Sequence, residues 1–269
     1  MEEKKDTRLF LHLKKWLEKA ALDYGMIEKG DRVLVGVSGG RDSLVLLDLL
    51  STPMLHLPPF EIAAVHIDLG FDPDYRGCTR VERMFQERGL EFIIRKTDIG
   101  ITAHSDVNRK NPCFLCSRLR RKEIFTAAEE LGCNKIAFGH HKDDIIETLL
   151  INMFYGREIS TMVPALSLFR GKYHLIRPLA CLDEVTVKRY AAERGFPHIK
   201  NACPTEPSSR RAYIKDLLKE LEKDNKDIRN NIVTSMSHVK PDYLFRRTTS
   251  EPRGDRKKKA ELSGTGEME

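Results

Sequence analysis

The sequence predicts an α/β fold: a doubly wound parallel sheet with an N-terminal helix before it and a C-terminal helical extension after it. Three observations carry that expectation. Short β-branched runs alternate with segments of helical period from Val33 onward. The first run ends in a glycine turn, Ser38-Gly39-Gly40-Arg41-Asp42-Ser43, which opens directly into a leucine-rich helix. At 269 residues the chain is long enough to bury a sizeable core.

The elements follow in order. Leu9, Leu13, Trp16, Leu17, Ala20, Ala21 and Tyr24 recur at helical spacing, giving an amphipathic opening helix that Gly25 and Gly30 break. Strand Val33 to Val37 leads through the glycine turn to a helix carrying Leu44, Leu46, Leu47, Leu49 and Leu50, up to Pro53. A second strand spans Ile62 to Ile67, a helix Val81 to Arg88 stops at Gly89, and a third strand covers Phe92 to Ile94. Asp98 to Asn111 is a polar stretch, and Cys78 falls in a loop. A basic helix is expected from about Ser117 to Leu131, then a strand at Lys135 to Phe138. The next helix, Asp143 to Tyr155, turns Ile145, Ile146, Leu149, Leu150 and Met153 inward. Strand Leu175-Ile176, helix Asp183 to Arg194, a loop around Cys203 and a helix from about Ser208 to Lys223 close the body. After about Arg246 the chain has almost no apolar residues, so a disordered tail is expected. No internal repeat is visible.

Bulk properties exclude some classes. No apolar run approaches the roughly 18 residues that span a bilayer. The charged start, Met1-Glu2-Glu3-Lys4-Lys5-Asp6, lacks a signal-peptide apolar stretch, so a cytoplasmic, membrane-free protein is expected. Six cysteines in such a chain are packing residues, reactive thiols or metal ligands rather than a disulfide framework. A net charge of +6, from 46 basic and 40 acidic residues, permits an RNA or nucleotide partner without demanding one.

The glycine turn is suited to phosphate. Gly39 and Gly40 allow positive φ and a close approach of ligand to backbone. The amides of Arg41 to Ser43 can face an anion at a helix N-terminus, with Ser38 and Ser43 hydroxyls and the Arg41 charge beside them. Neither the G-x-x-x-x-G-K-[ST] nor the G-x-G-x-x-G spacing is present. Further along, His66 and Asp68 end the second strand. Gly139-His140-His141 precedes Asp143-Asp144 at a helix start, where Asp144 and Glu147 have capping-box spacing. A His140/His141 metal site is not favoured, because H-E-x-x-H is missing.

Cys113-x-x-Cys116 suits a redox pair, half of a zinc site or part of an iron-sulfur site. Its setting does not match a thioredoxin-like fold, and no second pair completes a four-cysteine zinc site. Cys133 and Cys181 are expected to pack, whereas Cys203 stands alone in a polar loop before the last helix. Three thiolates on a 4Fe-4S cluster leave one iron free for an exogenous ligand, which gives two cysteines plus one a chemical reason.

Ser-Gly-Gly-x-Asp-Ser after a first strand resembles the PP-loop of the N-type ATP pyrophosphatases, whose fold is the Rossmann-like adenine nucleotide alpha-hydrolase type. Arg41 stands where many PP-loops carry lysine. Gly-His-x-x-Asp-Asp is similar to that family's second signature. Together with "PCFLCSRLRRKEIF", "IRPLACLDEVTVKRYA" and the late Cys203, these motifs resemble the TtcA family of tRNA 2-thiocytidine synthetases over most of residues 8 to 223. The resemblance implies an ATP-dependent tRNA sulfurtransferase that activates the C2 oxygen of an anticodon-loop cytidine with AMP and replaces it with sulfur.

It also implies roles. Ser38, Gly39, Gly40, Arg41, Asp42, Ser43 and Gly139 would bind ATP, with His66 and Asp68 at the adenosine. Asp42 and Asp144 would serve Mg²⁺ and catalysis with Arg120, and Cys113, Cys116 and Cys203 would hold a 4Fe-4S cluster. Arg118, Arg121 and Lys122 are equally suited to RNA phosphate or to a solvated helix face. A sulfur donor, either a cysteine desulfurase system or free sulfide, and a homodimer using the Trp16 helix would complete the partners. The expected division is 1–30 helical, 31–205 PP-loop domain with the cluster, 206–245 helical extension and 246–269 tail. Alternatives are a PP-loop 2-thiouridine synthetase, an adenylating enzyme with a small-molecule substrate, and a non-catalytic nucleotide- or metal-sensing module that binds RNA.

Overall fold

A computed structural model of the chain describes residues 7–71, 77–108, 112–197, 203 and 210–245. The expected tail and most of the Cys203 loop lie outside the described residues. The chain divides into two compact units, Met1–Val233 and Thr234–Glu269. Among the described residues the first holds a six-stranded sheet ordered β3-β2-β1-β4-β6-β5. In chain order the strands are β1 (Arg32–Gly36), β2 (Glu61–Asp68), β3 (Glu91–Lys96), β4 (Lys135–Ala137), β5 (Ala165–Leu168) and β6 (Tyr173–Ile176). The helices are α1 (Arg8–Asp23), α2 (Arg41–Leu50), α3 (Gly77–Glu87), α4 (Ile99–Ala103), α5 (Pro112–Glu130), α6 (Lys142–Ile151), α7 (Glu184–Glu193), α8 (Arg210–Asp224) and α9 (Ile228–Ser237).

Strand alternation builds a core on each side of the sheet. In β1, Val33 and Val35 face one side and Leu34 the other. On the first side Leu13 and Leu17 of α1, Leu44 and Leu47 of α2 and Tyr190 of α7 are all buried together. On the second, Ile124, Ala127 and Ala128 of α5 cover Leu34, Val65, Ile136 and Tyr173. Phe10 stacks on Tyr190 with ring centroids 6.3 Å apart, and the Tyr190 hydroxyl donates to Asp48 at 2.7 Å. Thr7 caps α1 by accepting from the Phe10 amide at 3.1 Å. Trp16 is partly buried against this core.

A buried polar knot ties β1 to β4. Asp31 accepts from the Glu28 amide and the Asn134 side chain, each at 2.7 Å, and Lys135 lies 3.4 Å from it. Both charged side chains are almost fully buried.

The structure corrects several expectations. The sheet is mixed, because β5 pairs antiparallel with β6 at one edge. The short helix α4 lies within the stretch expected to be merely polar, and α5 begins at Pro112, so both Cys113 and Cys116 are helical. A proline suits the first helical position, where its missing N–H costs nothing. Helix α6 ends at Ile151 and widens into a π turn, Asn152–Gly156, which leaves Met153, Phe154 and Tyr155 exposed rather than inward. Cys78 is not in a loop: it sits in the first turn of α3, buried. No helix among the described residues is long and apolar enough to cross a membrane.

Candidate active site

The strand order reverses direction beside β1, which pairs with β2 on one side and β4 on the other, both in parallel. In open parallel sheets such a switch point opens a crevice beyond the carboxyl ends of the strands. Here it holds a cavity of about 540 Å³. Its walls are Gly36, Val37, Ser38, Asp42 and Ser43, with Gly39 and Gly40 outside the lining, the odd residues Val65, Ile67 and Leu69 of β2 and its end, and Phe138 to His140 after β4. One face of α5, Ser117, Arg120, Arg121 and Ile124, closes it together with Asp144, Arg177 and Arg211.

The loop after β1 is held by its own serines. Gly39 adopts φ +83°, which a side chain would strain. Ser43 Oγ donates to the Gly40 carbonyl at 2.8 Å and accepts from the Ser38 amide at 3.1 Å. The Gly40 amide donates to Ser38 Oγ at 3.2 Å. Gly40 is the N-cap of α2, so the amides at the start of this helix are left for an anion. From β4, Gly139 packs directly on this loop. A Cβ there would lie 2.8 Å from the Asp42 carbonyl carbon and oxygen and 2.9 Å from the Ser43 nitrogen. Only glycine lets the two signature segments meet this closely.

Asp42 and Asp144 both line the cavity and are close enough to interact electrostatically. Burial pushes the Asp42 carboxyl above its usual range, with His141 opposing the rise and Asp144 adding to it. Asp144 accepts from the His141 amide at 3.0 Å and from Arg211 at 2.6 Å. The capping box of α6 is therefore His141 with Asp144, not Asp144 with Glu147. Glu147 is instead buried, and burial pushes its carboxyl up to about 7 although Lys215 and Arg211 stand 3.7 and 3.6 Å away. His140 lines the cavity with its Nδ1 buried and unbonded among the described residues. Burial holds its pKa down at about 4, with Arg177, Arg211 and Arg120 acting in the same direction against Asp144. At neutral pH it presents an uncharged imidazole.

The structure sorts the expected site residues. Ser38, Asp42, Ser43, Gly139, Asp144 and Arg120 meet at the cavity. Arg41 is the first residue of α2 and does not line it. His66 and Asp68 point to the opposite face of β2 from Val65 and Ile67, so neither touches the cavity. His66 is buried with Nδ1 2.7 Å from the Val37 carbonyl, bracing the strand that enters the glycine turn. Asp68 accepts from the Gly70 amide at 3.0 Å and lies 3.6 Å from the Cys78 thiol.

Arg211, Arg177, His140 and Arg121 also line the cavity, with Met162 and Leu175 as further apolar walls. No spacing rule singles out the two arginines Arg177 and Arg211, which come from distant segments. Arg177 is buried, and its guanidinium donates to the Val163 carbonyl.

The two cysteines of α5 lie within one helical turn of the cavity lining. Cys116 precedes Ser117, which lines it, and Cys113 is the second residue of the same helix. Burial pushes the Cys116 thiol up, Arg120 opposes this, and Cys203 and Cys113 both add to it. Cys116 is thus within electrostatic reach of both Cys113 and Cys203, and Cys203 Sγ is 4.0 Å from His104 Nε2. Among the described residues no three His, Cys, Asp or Glu side chains are already arranged as a metal cage. Cys133 and Cys78 are buried with thiols pushed up to about 11, which marks them as packing residues.

Comparison with known proteins adds three findings. A family model described as PP-loop domain matches residues 7–221. The chain is 39% identical over 243 residues to a tRNA-cytidine(32) 2-sulfurtransferase of Polynucleobacter asymbioticus, spanning 89% of this chain and 80% of that one. It is 37% identical over 244 residues to the enzyme of the same name from Syntrophotalea carbinolica, spanning 89% and 93%. Among solved structures, the U34-tRNA thiolase NcsA from Methanococcus maripaludis, with its 4Fe-4S cluster, matches at a TM-score of 0.70 and 24% identity. That match covers 86% of this chain and 80% of the other, and shows a shared fold.

Proposed function

Because the chain belongs to the PP-loop family and, within it, to the family of tRNA-cytidine(32) 2-sulfurtransferases, we propose that it is an ATP-dependent tRNA sulfurtransferase acting on a cytidine of the anticodon loop. One observation carries the reading. A single cavity joins the glycine loop, Asp42 and Asp144 at one end to Ser117 and Arg120 at the other, one helical turn from two thiols.

ATP would lie with its phosphates on the amides at the start of α2 and its nucleoside along Val65, Ile67 and Leu69. The cytidine C2 oxygen attacks the α-phosphorus, pyrophosphate leaves, and AMP is joined to the base. Asp42 and Asp144 would hold Mg²⁺, which offsets the charge of the leaving pyrophosphate. Arg211 must then exchange Asp144 for a phosphate oxygen, which its guanidinium suits. Arg120 stands between the cavity and Cys116, where it can orient the activated base. Cys113, Cys116 and Cys203, all free thiols, would supply three soft donors, the set that fits a 4Fe-4S cluster with one open iron. When bound, that cluster would present the sulfide that attacks C2 as AMP departs. A cysteine desulfurase system or free sulfide as donor, a homodimer, a cytoplasmic setting and a catalytic domain over 31–205 belong to the same reading.

The test is anaerobic reconstitution followed by nucleoside mass spectrometry of tRNA. About four irons per chain and ATP-dependent 2-thiocytidine are expected. Cys113→Ser, Cys116→Ser and Cys203→Ser should each lose both, and Cys133→Ser neither. Formation of 2-thiouridine alone would move the target base. Binding of one zinc without iron in an active enzyme would refute the cluster.

A further inference from the structure

Helix α5 has a second working face that the reaction does not use. On the side away from Ser117 and Arg120, a groove of about 440 Å³ runs between α5 and the β5–β6 connection. Arg118, Arg121, Lys122, Phe125, Phe169 and Tyr173 define it. Arg121 lines both this groove and the ATP cavity, so the two adjoin at that side chain.

We propose that this groove is a docking site for an unpaired RNA nucleotide next to the one in the cavity, its base on the Phe169 ring and its phosphates on Arg118, Arg121 and Lys122. The proposal rests on the tRNA reading above and adds a second contact to it.

The aromatic floor has the required geometry. Phe125 and Phe169 are nearly perpendicular at 5.1 Å between centroids, and Tyr173 lies 5.4 Å from Phe125 and 6.1 Å from Phe169. Phe125 and Tyr173 thus brace Phe169 from the side while the residue stays 64% exposed. An exposed, fixed aromatic ring is a platform for a base of any identity. Backbone strain points the same way. Phe169 and Arg170 adopt φ of +50° and +58°, in the left-handed region that favours glycine. The adjacent Gly171 would accept such a conformation without cost, yet the bulky residue is placed in it too.

The charge is complementary to a phosphate chain. Arg118, Arg121 and Lys122 form no ion pair within the described residues, whereas Lys172 is neutralised by Glu129 at 2.8 Å. Three basic groups flanking one ring match a stacked nucleotide with phosphates on each side.

Phe169→Gly removes the ring and the strain together. It should keep or raise Tm while weakening binding of an anticodon stem-loop RNA by about fivefold or more, the effect of losing one stacked base. Phe169→Tyr should restore affinity, because a tyrosine ring stacks equally well. Lys122→Glu should lower the slope of log Kd against log salt by about one or more. A fully paired duplex of equal length should bind weakly and respond little to Phe169→Gly.

Unchanged stem-loop affinity and salt slope in both variants would overturn the proposal while leaving tRNA thiolation intact. That is also the result expected if the groove seats an acidic protein segment or a second copy of the chain. A protein that forms no thiolated base but binds the stem-loop through Phe169 would retain the groove and discard the reaction. A protein that binds no RNA discards both.

Discussion

Gly139 offers the most direct test of how the two signature segments meet. In Gly139→Ala the new Cβ would stand 2.8 Å from two backbone atoms of Asp42 and 2.9 Å from the Ser43 nitrogen, where ordinary contact begins near 3.4 Å. Backbone cannot rotate away as a side chain can, so the glycine loop and the end of β4 must separate by about 0.6 Å. Overpacking of this kind costs about 1–3 kcal/mol, which lowers Tm by roughly 3–10 °C in a domain of this size. The displaced atoms also carry the amides and Asp42 that would position the phosphates. A misplacement approaching 1 Å costs up to about a hundredfold in rate, so kcat/KM for ATP should fall roughly ten- to a hundredfold. The assay is tRNA-dependent release of AMP and pyrophosphate, alongside a melting curve. Gly156→Ala is the control, since its nearest neighbour would be an ordinary 3.6 Å away. Wild-type Tm and wild-type ATP dependence in Gly139→Ala would refute the close approach and its role.

Other outcomes are expected at single positions. Asp42→Asn should abolish AMP transfer yet leave Tm equal or higher, because burial already disfavours the charged carboxylate; circular dichroism melts and a pyrophosphate assay check both. Glu147 has a folded pKa raised to about 7, above its unfolded value, so the native state holds the extra proton between roughly pH 4.5 and 7. Its contribution is fully present below that window and is lost as pH rises through 7. Glu147→Gln should therefore raise Tm more at pH 8.5 than at pH 5, and an equal shift at both would contradict the burial argument. Asp31→Ala leaves Lys135 buried without its carboxylate and frees two donors, so urea unfolding should show a loss of about 3–5 kcal/mol. Cys78→Ser should retain iron and thiolation, since its thiol is buried in α3 with its pKa at about 11; loss of iron would make it a ligand.

The parts of the fold legible in the sequence are those where a period changes abruptly. Val33 to Val37 reads as a strand and Leu44 to Leu50 as a helix, so the turn falls between them; the structure narrows it to Val37 to Gly40, because α2 already begins at Arg41. The β5 strand escaped because Ala165–Leu168 is only four residues and pairs at an edge, where half of it faces water and no apolar run forms. Helix α5 starts five residues before the expected Ser117, because Pro112 suits a first helical position, where its missing N–H costs nothing. Met153 has helical spacing from Leu149, but the extra residue in the π turn rotates it outward. At the site, motif residues were legible because their spacing along the chain is itself the signal. Arg211 and Arg177 were not, since each acquires its role only when α8 and the end of β6 reach Asp144 and Val163.

Helix α5 carries thiols at its start, cavity residues along one side and the basic groove along another. Its fully buried residues, Ile124, Ala127 and Ala128, all fall in the C-terminal half. The first two turns are therefore anchored by little apolar contact, and local opening there costs less than unfolding of the sheet. Amide hydrogens of residues 113–119 should exchange with deuterium well before those of 124–130. Whatever ties Cys113 and Cys116 together slows that exchange at the near end of the helix and leaves the far end as it was. With a cluster bound as proposed, the turn that bears the sulfurs would take its order from its occupant, on a helix whose other end is fixed to the core.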